Sequence, residues 1–347
     1  MYGFSVYLSN PLDEGELVYI KSMRAAGFKG VFTSLHIPED DATVLRSRLK
    51  QLSEICAALD LDLMADISTD GFARLQIDYT DVAAVRTLGL AGMRLDYGFT
   101  MAEIAALTHV LPIALNASTL TLADLQALRD AGADLTHIEA WHNYYPRPET
   151  GLDAAWYAEK NAWLQQQGLK TMGFVAGDGQ RRLPLGAGLP TLEAHRNLNP
   201  LAAAIDLAAL ATDKVYVGDN TLRPETQAQF ARFIQDDVLQ LRTTEPLPAP
   251  LYNRIWHNRS DVARDVVRLE EARPLQLLST VPTSECPRMQ GSVTVDNSAY
   301  GRYAGEIQIT KHDLPADTRV NVLGTLDTAS QALLPFVGAH QALEFIV

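Results

Sequence analysis

Three carboxylates stand inside apolar runs, where an acid is costly unless it is paired or used. They are Asp66 in "DLMADIST" (62–69), Asp96 in "AGMRLDYGF" (91–99) and Glu139 in "THIEAWHNYYP" (136–146). Acids that face one another across a pocket can divide general acid–base or nucleophilic work at a glycosidic bond. Metal binding is the competing use, and it is better served by histidines at ligand spacing. His36 and His142 are isolated from each other, so neither a metal nor another cofactor is expected.

Two loops add groups that suit an anion or a sugar. "HNYYPRPETGL" (142–152) carries His142, Asn143, Tyr144, Tyr145 and Arg147 on a proline-stiffened connection. A guanidinium offers a planar fork to phosphate or carboxylate, and tyrosines offer flat faces with a hydroxyl. "GDGQRRLPLGAGLPTLEAHR" (177–196) brings the pair Arg181-Arg182 among glycines. The plain alternatives are a stiff surface turn for the first loop and a solvated loop for the second. Further polar residues follow other apolar runs: Glu39, Asn116, Asp178 and Asp219. Capping of the next helix is an equal alternative for Glu39, Asp178 and Asp219.

These residues need elements that bring their runs together. Short apolar runs alternate with helical patterns eight times, from "GFSVYLS" (3–9) to "DKVYVGDN" (213–220). The spacing of roughly 25–35 residues is the rhythm of a (β/α)8 barrel, whose chemistry sits at the C-terminal ends of its strands. A doubly wound open sheet competes, but no GxGxxG follows the first run. We expect an α/β fold: a (β/α)8 TIM barrel over 1–242, a proline-rich linker over 243–252 ("TTEPLPAPLY"), and a small β-rich domain over 253–347. Within the last, "RSDVARDVVRLEEAR" (259–273) reads as a helix. "GSVTVDN", "AGEIQIT", "RVNVLGTL" and "ALEFIV" read as strands.

Bulk properties narrow the partners. A net charge of −13 over 347 residues argues against nucleic acid but leaves room for a locally basic pocket. Two distant cysteines without a CxxC suit a reducing cytoplasm. The first residues show no basic, then apolar, leader pattern, and no run has the length of a membrane-spanning helix, so a cytoplasmic protein is expected.

The motifs "GFSVYLS", "FTSLHIPED", "MRLDYGF", "LNAST", "HNYYPRPETGL", "GLPTLEAHR" and "VYVGDN", in this order, resemble the 6-phospho-N-acetylmuramidase family. The tail motifs "NRSDVARDVVR", "GSVTVDNSAYGRYAGEIQI" and "DTRVNVLG" resemble that family's cyclophilin-like C-terminal domain. The resemblance implies a cytoplasmic exo-glycosidase of cell-wall recycling. Its substrate would be 6-phospho-N-acetylmuramyl-β-1,4-N-acetylglucosamine, a phosphorylated amino-sugar disaccharide with a lactyl carboxylate. By analogy with other glycosidase barrels, Asp96 would attack or stabilise the reacting carbon and Glu139 would protonate the leaving oxygen. Asp66 is the rival to either, and the 2-acetamido group of the substrate could itself assist. Glu39, Asn116, His142, Asn143, Tyr145, Arg147, Arg182, Asp219 and Arg302 are the expected substrate contacts. Asn297, Tyr300, Arg302, Tyr303 and Glu306 form a cluster in the tail, suited to closing the barrel mouth or to a homodimer.

Two other classes remain open. An aldolase would want a lysine at a strand end, whereas Lys29, Lys170 and Lys214 stand at strand beginnings. Another phosphosugar-processing barrel, or a silent sugar-phosphate binder, would share most of the same features.

Overall fold

The computed structural model of the chain describes residues 1–35 and 42–347, so the expected His36 and Glu39 lie outside the described residues. The chain divides into two compact units, Met1–Gln227 and Ala228–Val347.

Eight parallel strands build the first unit. They are Tyr2–Ser5 (β1), Gly30–Ser34 (β2), Asp62–Ile67 (β3), Gly92–Leu95 (β4), Ile113–Asn116 (β5), Ile138–Trp141 (β6), Lys170–Val175 (β7) and Lys214–Val217 (β8). They pair in chain order, and β1 closes on β8. Helices after each strand cover the outside, which is why the strands are buried along nearly their whole length. Local sequence sets where those helices start. Thr100 with Glu103, and Thr121 with Asp124, form reciprocal capping boxes, and Asp153 caps Ala154–Gln166.

Side chains alternate along each strand, so every second residue enters the barrel. Phe32, Met64, Ala114, Trp141, Met172, Phe174 and Tyr216 form one buried cluster there. The rings of Trp141 and Tyr216 are 5.1 Å apart, and those of Phe32 and Phe174 5.2 Å apart. Tyr216 fits because β1 and β2 carry glycine opposite it. A Cβ at Gly3 would lie 2.2 Å from its ring, and one at Gly30 2.1 Å from its hydroxyl.

The second unit holds a three-stranded and a four-stranded sheet. Val238–Arg242 (β9), Trp256–His257 (β10), Val266–Arg268 (β11), Ser292–Asp296 (β12), Ile307–Thr310 (β13), Val320–Thr325 (β14) and Ala342–Ile346 (β15) pair in the orders β10-β15-β9 and β11-β13-β12-β14. Three local expectations are corrected. The last helix of the segment expected to belong to the barrel up to residue 242 stops at Asp236, because Asp237 turns the chain at φ 56 and β9 then pairs along β15. Residues 243–252, expected as a linker, are tied to that sheet by Thr243 N–H to the Ile346 carbonyl and by the Tyr252–Phe345 bridge. The helix expected over 259–273 is largely loop and strand. Its valines at 266 and 267 are β-branched, and Val267 is buried against Ile309.

The fit around Tyr216 predicts opposite outcomes for two small changes. Gly30→Ala should lower stability by about 2 kcal/mol through overpacking. Tyr216→Phe removes a buried hydroxyl that has no hydrogen-bond partner among the described residues, so it should leave stability unchanged or raise it. Thermal melting of the three proteins checks both.

Candidate active site

The strand ends place Asp66 on β3 and Asp96 directly after the neighbouring strand β4. Asp66 stands opposite Arg94 in the β3–β4 register, and Asp96 is the next residue of that face of β4. The Arg94 guanidinium is 4% exposed and donates to Asp66 Oδ1 at 2.6 Å. Its other arm donates to Asn143 Oδ1, just beyond β6. A buried cation needs such partners, and here they fix two strand ends and one loop against each other.

Above this bridge lies a cavity of about 430 Å³. Ser34, Asp66, Asp96, Tyr144 and Arg182 form its polar part, and Pro146, Leu183, Pro184, Leu185, Ala187 and Leu189 its apolar part. A recess shares Asp66, Asp96 and Tyr144 with it and reaches down to Arg94, Phe32 and Phe174. The aromatic cluster is therefore the floor of the site.

Arg182 is held rigidly. Its guanidinium carbon sits 3.5 Å from the centre of the Tyr7 ring, and one arm donates to the Tyr144 hydroxyl at 3.0 Å. No carboxylate pairs with it among the described residues. Burial pushes the phenols of Tyr7 and Tyr144 up from their ordinary values, so both keep their protons near neutrality.

Two loops meet at this wall. Glu193 accepts from the backbone N–H of Glu149 and of Gly151, and from the Arg196 guanidinium. Those bonds, the Arg196 pair foremost, pull its carboxyl down to about 2. Thr191 Oγ1 donates to the Asn143 carbonyl, and Tyr145 N–H to that of Pro190. The segment 142–152 is thus docked on the loop after β7.

Several expected contacts sit elsewhere. Glu139 lies two residues before Trp141, on the N-terminal side of the aromatic cluster, and both its oxygens accept from Lys214 Nζ at 2.7 and 2.8 Å. It also accepts from the indole N–H of Trp141, so it closes the barrel floor away from the mouth. His142 faces the helix layer: it is fully buried, bonded to Asn161 at 2.8 Å, and its ring lies 4.5 Å from that of Tyr157. Asp219 is fully buried and accepts from three backbone N–H groups, of Gly177, Arg182 and Leu189. It shapes the loop rather than lining the cavity. Asn116 accepts from Ser118 N–H. Tyr144 lines the cavity where Tyr145 was expected, and Arg147 is exposed and not among the lining residues. Arg302, in the second unit, stacks on Tyr303 and donates to its hydroxyl, while Glu306 pairs with Arg268. Among the described residues no three His, Cys, Asp or Glu side chains are grouped to hold a metal ion.

The period-2 rule already contained part of this outcome. Arg94 and Asp96 share a face, as do Glu139, Trp141 and Asn143, so a carboxylate at a strand start belongs to the floor. Arg94, Ser34 and Tyr7 stand within apolar runs and Tyr144 in the 142–152 loop, but nothing in the sequence ranks them above their neighbours.

Fold and site together define a (β/α)8-barrel protein with a carboxylate- and guanidinium-lined mouth. The N-terminal pattern of the 6-phospho-N-acetylmuramidase family matches residues 2–232, and the C-terminal pattern matches residues 239–346. The chain belongs to this family. It is similar in structure to a conserved Enterococcus faecalis protein of unknown function, with 41% identity, a TM-score of 0.92, and coverage of 100% of this chain and 96% of that one. An uncharacterised B. cereus protein shares the fold at 24% identity and a TM-score of 0.76, covering 100% and 99%. No curated protein matches the sequence. Among the described residues no helix is long and apolar enough to cross a membrane.

The buried His142 makes a prediction about acid stability. Burial pushes its imidazole down to about 4, from an ordinary value of 6.5. Between those values the unfolded chain takes up a proton that the folded chain refuses. Stability contributed by the neutral ring is therefore lost as pH falls from 6.5 towards 4, by on the order of 3 kcal/mol. Urea midpoints measured over that range should fall more steeply for the wild type than for His142→Gln.

Proposed function

We propose that the protein is a glycosidase that cleaves 6-phospho-N-acetylmuramyl-β-1,4-N-acetylglucosamine to 6-phospho-N-acetylmuramic acid and N-acetylglucosamine. Its place would be cytoplasmic, in the recycling of cell-wall sugars. The observation that carries this reading is Arg182: a half-buried guanidinium with no carboxylate of its own among the described residues, in the same cavity as two carboxylates. Charge of that kind suits a phosphate, and family membership supports a phosphorylated muramyl sugar.

In this mechanism Asp66, ion-paired to Arg94, faces the positive charge that develops at the anomeric carbon, or orients a 2-acetamido group that assists there. Asp96, exposed at the rim, gives its proton to the leaving oxygen as the glycosidic bond breaks and takes one back from the entering water. Tyr144 and Tyr7 hold Arg182 on the phosphate. Glu139 has no part in the chemistry, which replaces its expected role as the acid.

Mass spectrometry of the products, from the phosphorylated and unphosphorylated disaccharides, tests the reaction. Release of N-acetylglucosamine from the phosphorylated form alone is the expected result. Binding without cleavage would leave a silent sugar-phosphate binder. Asp96→Asn should lower kcat by at least about 100-fold with the melting temperature unchanged, and Asp66→Asn by as much with a lowered melting temperature, because buried Arg94 loses its ion pair. Arg182→Gln should raise KM by roughly tenfold or more. Glu139→Gln should instead lower the melting temperature, because Lys214 loses its ion pair, while kcat/KM stays within about threefold. Loss of turnover in a folded Glu139→Gln protein would return Glu139 to the reaction.

A further inference from the structure

The cavity has two unlike walls. Besides the carboxylates and Arg182, Leu183, Pro184 and Leu185 line it as a lip in which Leu183 is 76% and Leu185 58% exposed. Apolar side chains of this size gain burial only when something covers them. The lip is not a free strand of loop. Asp219 accepts from Arg182 N–H at 3.0 Å and from Leu189 N–H at 2.9 Å, so one buried carboxylate anchors the backbone on both sides of it. The residue before the lip is Arg182 itself, whose guanidinium is fixed on Tyr7. An anion held by Arg182 therefore carries its neighbouring substituents against a preformed apolar edge.

We propose that the Leu183–Leu185 lip is a specificity element that reads an apolar substituent on the phosphorylated amino sugar. The group it receives is the methyl of an ether-linked lactyl chain. The lip thereby separates 6-phospho-N-acetylmuramyl compounds from 6-phospho-N-acetylglucosaminyl ones, which carry a bare hydroxyl at that position. This inference rests on the phosphosugar reading of the site given above. One methyl in an apolar pocket discriminates by roughly 10–200-fold, and an open rim belongs at the lower end.

The test compares wild type with a Leu183→Ser/Leu185→Ser variant, whose changes lie at exposed positions. Two readouts are taken: kcat/KM for the two 6-phosphorylated disaccharides, with and without the lactyl group, and calorimetric Kd for the two corresponding monosaccharide phosphates. The wild type should favour the lactyl-bearing member of each pair by about tenfold or more. The variant should lose that preference, falling about tenfold on the lactyl-bearing compound and less than twofold on the other. Equal losses on both compounds, an unchanged ratio, or no preference in the wild type would overturn the proposal while turnover still upheld the glycosidase. Absence of turnover with a binding preference that the variant loses would overturn the glycosidase and uphold the lip. If neither monosaccharide phosphate binds, the lip proposal falls with the phosphosugar reading.

Discussion

The mouth of the barrel is organised around one buried charge. Arg94 is almost wholly removed from water, and a guanidinium in that position is tolerable only if its donors are met. Asp66 on β3 and Asn143 beyond β6 meet them. Three segments that are distant in sequence are thereby held in one arrangement, and the carboxylate of Asp66 is oriented by its partner rather than by rotamer preference alone. The aromatic cluster beneath removes water from the underside of the bridge, which strengthens every polar contact in it.

A second level of support lies in the loops. Asp219 and Glu193 are acids whose oxygens are occupied by backbone N–H groups and, for Glu193, by Arg196. They act as organisers: one folds the loop after β7 over Arg182, the other locks the 142–152 segment to that loop. The dense collection of tyrosine, proline and arginine in 142–152 is thereby accounted for in part. It is a docked wall that gives the cavity Tyr144 and Pro146, meets Arg94 through Asn143, and directs most of its other groups into packing or solvent. Rigid support of this kind is what a site needs if its charges are to be in place before a ligand arrives.

The site separates its charges by function. Arg94 is neutralised, whereas Arg182 is stacked and hydrogen-bonded but has no acid beside it among the described residues. The same physical rule, that a cation drawn out of water seeks an anion, accounts for the first and leaves the second open to a ligand. The apolar lip following Arg182 would give such a site a direction, with charge at one end and an apolar edge at the other.

Repetition made the barrel legible from the sequence. Eight alternations of strand and helix each report their own periodicity and caps, and closure follows from their number. The placement of Asp66 and Asp96 at strand ends was legible for the same reason, and so was the position of an arginine pair on the loop after β7. The short paired segments of the second unit were harder. Val266–Arg268 and Val238–Arg242 owe their extended form to partners far along the chain, Ile309 and the strand 342–346, and no local pattern announces those. Only the tertiary structure could decide depth. Asp96 and Glu139 both look like acids within apolar runs. One follows the end of its strand at the open rim, while the other lies near the start of its strand beside Lys214 in the floor. Sequence determines which residues share a face of a strand. Whether that face meets a ligand, a salt bridge or a helix depends on contacts between segments that sequence spacing does not contain.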